Sequence, residues 1–211
     1  MSIEFKSVFS EFEHIKRYVD KQRNIVVAKI LPGEFYVTKH EEAISTVLGS
    51  CISACIWDDM MRIGGMNHFM LPVKGDGVGS FGWQNDNSYT CRYGLWAMEY
   101  LINEILKHGG HRRNLKVKLF GGGNVIANMS SDVGGRNIQF AQEYVENEGL
   151  TVIGSDVGGN LPRKILFYPT TGKVLVKKLH STHNDTIQRR ESQYINSLDK
   201  PVDSGNDIEL F

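Results

Sequence analysis

Cys51 closes the run "STVLGSC" at residues 45–51, and His68 follows 17 positions later within "GGMNHFMLP" at 64–72. A free thiol, with a pKa of about 8.5, is mostly protonated at neutral pH and attacks only as thiolate. An imidazole can take that proton, provided a third polar group holds the ring in position. Ser45 and Thr46 offer hydroxyls for that purpose on the strand leading into "LGSC". Gly49 leaves the space beside the thiol free of a side chain, and the backbone N–H groups around Ser50 and Cys51 can face an oxyanion. Such a set can make the thiol a nucleophile. The same residues also suit a plainer reading, because a cysteine or histidine on an apolar strand is usually packed core. Residue types alone leave the two readings open.

Other chemistries find less support. Cys51 and Cys55 form C-x3-C with no second ligand pair, so no structural zinc is expected, and His180 and His183 of "HSTH" lie in a polar segment. "GDGVGS" and "FGGGNVIAN" lack the lysine of a phosphate loop and the spacing of a dinucleotide fingerprint. No serine stands in a G-x-S-x-G elbow. None of these motifs makes a case for a metal or an organic cofactor. Cys55 and Cys91 read as structural.

Lysine plus arginine balance aspartate plus glutamate at 24 each, leaving no overall field to draw nucleic acid or an anionic membrane. "HRR" at 111–113 and "QRRE" at 188–191 read as solvated loop charge. Three cysteines without framework spacing point to a reducing compartment. The first residues carry charge throughout, unlike a signal peptide, and no apolar run reaches the roughly 20 residues of a membrane span. The expected location is the cytoplasm.

The surrounding elements must bring Cys51 and His68 together. Val8, Phe9, Phe12, Ile15 and Val19 recur at helical spacing and predict a short amphipathic helix over 8–19. "NIVVAKI", "EFYVTK", "AISTVLG", "CISACIWD" and "IGGMNHFMLP" read as strands. A polar, glycine-rich loop with Trp83 follows at 74–91, either a lid or a surface loop. Residues 92–107 predict a helix with one thin polar stripe, largely buried, and "RNIQFAQEYVENEG" predicts a second. "LKVKLFGGG", "LTVIGSDVGG", "RKILFYPTTG" and "KVLVKKL" add strands. Strands outnumber helices without strict alternation, which favours an α+β or mixed α/β layered domain. Residues 1–23 read as an N-terminal extension, 24–180 as the domain, and 181–211 as a polar, loosely ordered tail.

"LGSC" at 48–51, "GGMNHFMLP" at 64–72, "LFGGGN" at 119–124, "GRN" at 135–137 and "SDVGGNLPRKILFYPTTGKVLVKK" at 155–178 resemble, in this order, the CheD family of chemoreceptor glutamine deamidases. The resemblance covers about residues 30–180. It implies a Cys-His-Thr triad in which Cys51 is the nucleophile and His68 the base. Counting back from Cys51, the family threonine falls at Ser45, with Thr46 one position later. Ser45 is therefore the expected third member and Thr46 the alternative. The implied fold is a layered mixed β-sheet sandwich flanked by helices, similar to bacterial toxin deamidases. The implied substrates are glutamines on cytoplasmic helices of methyl-accepting chemotaxis receptors, so that any approach to the membrane is through the receptor, and some family members bind a chemotaxis phosphatase. Another thiol amidohydrolase, a transglutaminase and a non-catalytic regulator of a receptor or phosphatase stand as alternatives. The deamidase reading requires the Cys51 sulfur to open toward solvent.

Overall fold

The computed structural model describes residues 4–72, 89–125, 132–180 and 184–198. In chain order the strands are β1 (Lys16–Asp20), β2 (Ile25–Lys29), β3 (Phe35–Thr38), β4 (Ala43–Leu48), β5 (Ile52–Asp58), β6 (Ile63–Asn67), β7 (Leu115–Gly121), β8 (Thr151–Val157), β9 (Arg163–Tyr168) and β10 (Lys173–Lys178). The helices are α1 (Tyr89–Lys107), α2 (Val133–Asn147) and α3 (Asn184–Leu198). They form two five-stranded mixed sheets, in the orders β1-β2-β4-β9-β10 and β3-β6-β5-β7-β8. Most neighbours are antiparallel. The parallel pair β7/β8 is joined through α2, as a parallel pair requires a long crossover.

The sheets pack face to face, with Trp57 of β5 against Phe167 of β9 at a ring-centroid distance of 6.0 Å. Helices α1 and α2 cover the other face of the second sheet, where Phe69 meets Phe140 edge-on at 6.1 Å. This makes a sheet–sheet–helix stack of α+β class. Strand β5 lies between both layers and is buried at every position, which is why "ISACIWD" reads as a nearly continuous apolar run rather than an alternation. Edge strand β10 is mostly exposed and carries Lys173, Lys177 and Lys178, charges that discourage edge pairing. A Cβ at Gly65 would stand 2.7 Å from Leu101, so the bare backbone lets α1 approach β6.

Three expectations differ from this fold. Residues 8–19 hold only a 3₁₀ turn at Ser10–Phe12 and then β1. Phe9 stacks on His108, Phe12 packs edge-on against Phe35, and β1 takes main-chain pairing from β2, so tertiary contacts override the helical spacing. On α1, Ala97, Met98, Leu101, Ile102 and Ile105 are buried, but Trp96 and Tyr100 are about half exposed. Part of the segment read as a loose tail forms α3, and Glu191, in the run read as solvated charge, is buried. The loop expected at 74–91 lies, through residue 88, outside the described residues.

Candidate active site

The loop Gly49–Cys51, between β4 and β5, is held from three sides. Gly122 N–H donates to the Cys51 carbonyl at 2.7 Å, and Gly123 N–H donates to the Gly49 carbonyl at 2.7 Å. A Cβ at Gly121 would lie 2.2 Å from the Cys51 carbonyl oxygen, and its φ of +111° is one that side chains rarely adopt. That glycine run is itself fixed by the "SDVGG" loop: Gly158 N–H donates to Gly121 O, and Asn124 N–H to Gly159 O. Arg163, buried, pairs with Asp156 and donates to the Gly158 carbonyl. From the helix side, Asn137 Nδ2 donates to Ser50 O at 2.8 Å while its Oδ1 accepts from Leu71 N–H at 2.8 Å. Asn137 thus ties the cysteine loop to the segment just after His68. The motifs read separately in the sequence converge on one loop.

Ile52 and Phe69 exchange both main-chain hydrogen bonds, at 2.9 and 3.0 Å, continuing the β5/β6 register. Because side chains alternate, Cys51 and His68 are both directed to the opposite face, as diagonal cross-strand neighbours. That face looks toward the first sheet. There Thr46, on β4, meets His68 Nδ1 at 2.7 Å. Ile44, Thr46 and Leu48 share the inner face of β4, and Ser45 points away, donating to the Ile165 carbonyl at 3.0 Å. The hydroxyl beside the imidazole is therefore that of Thr46 and not the expected Ser45. Counting by motif gave Ser45 with Thr46 as the alternative, and on a strand one residue is the difference between two faces.

The hydrogen-bond network fixes the tautomer. Thr46 Oγ1 also lies 2.9 Å from the Ile30 carbonyl, which can only accept. The single hydroxyl proton goes there, so Thr46 accepts from His68 Nδ1–H, and Nε2 carries the free lone pair. Among the described residues Nε2 is buried without a hydrogen-bond partner. Burial pushes the His68 pKa down to about 3, so the ring is neutral at neutral pH. A neutral imidazole with its lone pair at Nε2 is a proton acceptor in waiting.

Cys51 does not meet the expectation of an open thiol: it is fully buried. Burial first, and the Glu191 carboxylate second, push its pKa well above the ordinary thiol value. Cys55 is also buried and raised, by burial, in keeping with a structural role. The N–H groups expected to face an oxyanion do converge, and they hold a carboxylate. Glu191 of α3 accepts from Gly49 N–H at 2.8 Å, Ser50 N–H at 2.9 Å, Cys51 N–H at 3.3 Å and Ser50 Oγ at 2.6 Å. Sequence reading missed this residue. The usable signal was Ile187, Glu191 and Tyr194 at i, i+4 and i+7, a helical face with one acid at its centre. A cavity of about 80 Å³ lies between α3 and the site, lined by Thr46, His68, Ile187 and Glu191 among others.

Residues 70–178 match the family described as CheD, chemotactic sensory transduction. A protein of Halorhodospira halophila called probable chemoreceptor glutamine deamidase CheD is 52% identical over 95% of this chain and 91% of its own length. Proteins of the same printed name from Hahella chejuensis and Hydrogenovibrio crunogenus are 49% and 46% identical, over 95% and 93% of this chain and 92% and 100% of their own. A family match over half the chain, carried by relatives nearly end to end, together with the motif loops assembled around Cys51, shows that the chain belongs to the CheD family.

Proposed function

We propose that this protein is a glutamine deamidase of chemoreceptors, acting through Cys51, His68 and Thr46. The observation that carries the reading is the network Ile30 O···Thr46···His68, which leaves the Nε2 lone pair free on the sheet face shared with Cys51. In the reaction His68 Nε2 takes the Cys51 proton, and the sulfur attacks the carboxamide carbon of a glutamine side chain. The resulting oxyanion accepts from the N–H groups of Gly49, Ser50 and Cys51. The imidazolium returns its proton to the leaving nitrogen, ammonia departs, and a thioester remains. His68 then deprotonates a water that attacks the thioester, releasing glutamate and regenerating the thiol. Each proton transfer of this kind contributes typically about 10²–10⁴-fold in rate. Ser50 adds a hydroxyl to the oxyanion site, and no step calls on a cofactor.

The relatives' names speak of chemoreceptor glutamines, and we take the substrate to be such glutamines on cytoplasmic receptor helices, as the family resemblance implies. Among the described residues no helix is long and apolar enough to cross a membrane. The test is peptide mass spectrometry of a receptor cytoplasmic domain incubated with wild type or Cys51→Ala. Glutamine-to-glutamate conversion with ammonia release, absent with Cys51→Ala, is expected. Isopeptide cross-links in place of glutamate, or conversion that survives in folded Cys51→Ala, would overturn the reading.

A further inference from the structure

In a helix on which Thr186, Arg189, Arg190 and Gln193 are exposed, Glu191 is buried, with 2% of its surface accessible. Burying a carboxylate is costly unless its oxygens are fully hydrogen-bonded. Among the described residues its donors are uncharged groups of the loop Gly49–Cys51: three N–H groups, the Ser50 hydroxyl and the Cys51 thiol. A Cβ on Gly49 would stand 2.7 and 2.8 Å from the two carboxylate oxygens, so the absent side chain is what lets Glu191 in. The rest of the same helix face also docks. Ile187 borders the cavity that reaches His68, and the Tyr194 hydroxyl lies 3.0 Å from where a Gly33 Cβ would be. Tyr194 also meets the Tyr93 hydroxyl on α1.

We infer that α3 is an internal plug that seats a product-like glutamate in the oxyanion site of Cys51, and that a substrate helix must displace it. The geometry is that of a helix offering a glutamate side chain to the nucleophile. A deamidase leaves that arrangement behind when it has converted a helical glutamine. A carboxylate is the better occupant, because both oxygens accept, whereas a carboxamide would turn an N–H₂ donor toward one of the N–H groups. With the plug seated the thiol is buried and faces a negative charge, and both oppose the thiolate. The groove beside α3, bounded by Lys29, Leu31, Pro32 and Tyr194, is then the surface along which the incoming helix competes.

The word product rests on the deamidase reading; the plug over Cys51 does not, and the experiment separates them. Full-length wild type, Glu191→Ala and Glu191→Asp are alkylated with iodoacetamide, and the Cys51 peptide is quantified by mass spectrometry. Glutamine turnover is followed in parallel. Glu191→Asp keeps the charge but withdraws it from the nest, and it carries the test if the alanine variant does not fold. Loss of the charge-assisted bonds is expected to raise Cys51 alkylation by roughly tenfold or more in both variants, with faster initial turnover. Wild-type alkylation in a folded Glu191 variant would overturn the plug, while turnover by wild type would still uphold the deamidase. Faster alkylation without turnover by any form would uphold the plug and overturn the deamidase reading.

Discussion

At the scale of single residues, the decisive choice is which hydroxyl faces His68. Thr46 has one proton and two neighbours, and the Ile30 carbonyl claims the proton. Thr46→Val should therefore cost turnover roughly 10–100-fold through loss of the ring's orientation and tautomer, with Thr46→Ser restoring most of it. Ser45→Ala, on the far face, should leave turnover within about threefold. Steady-state ammonia release measures all three. A second prediction follows from the His68 pKa, lowered by burial from 6.5 to about 3. Between those values the unfolded chain takes up a proton that the folded chain refuses. Stability is thus intact above about pH 6.5 and falls as the pH drops through that window, by up to about 1.4 kcal/mol per pH unit from this group. Asp58 is shifted the other way from what its burial alone would do: the N–H groups of Met61 and His111 hold its pKa below 3.8, so its contribution is lost only at lower pH. Urea unfolding of wild type and His68→Gln between pH 7 and 5 should show a slope in the first that flattens in the second.

At the scale of elements, Asn137 is the clamp. It joins Ser50 O to Leu71 N–H, and so couples the cysteine loop to the strand end that carries His68. Asn137→Ala leaves two buried backbone groups without their partner, at roughly 1–3 kcal/mol each, and should lower both the urea midpoint and turnover. Asn137→Asp, which keeps the acceptor and loses the donor, should fall between. The strands of the domain were legible because their apolar runs and glycine-bearing turns are local signals, and β5 announced its burial on both faces by its composition. Cys51 and His68 were legible as candidates for the same reason. Neither end of the chain was. Phe9, Phe12 and Ile15 fit a helix by spacing, but their burial depends on α1, β2 and β3, which spacing does not report. Glu191 resembled solvated charge because the donors that make its burial tolerable sit about 140 residues away. The one-residue ambiguity between Ser45 and Thr46 likewise needed the strand's facing, which only the packed sheets settle.

At the scale of the molecule, the site belongs to neither sheet alone. Thr46 comes from the first, and Cys51 and His68 flank strands of the second, so the proposed catalytic set exists only while the sandwich is closed. Phe167 helps to close it against Trp57. Phe167→Ala should cost about 3–5 kcal/mol, read as a lowered unfolding midpoint. The overall charge of zero offers no steering toward an acidic or basic partner, so recognition falls to the groove and to the helix that now fills it.

The central claim is that the sulfur of Cys51 carries the acyl group. Acid-quenched reactions with a glutamine-bearing receptor peptide, analysed by mass spectrometry, test it most directly. The account predicts a Cys51 peptide bearing the substrate as a thioester, at the substrate's mass less ammonia, in wild type, and no such adduct in His68→Ala. Turnover with the acyl group on another residue, or with none trapped while a folded Cys51→Ala continues to convert glutamine, would contradict it.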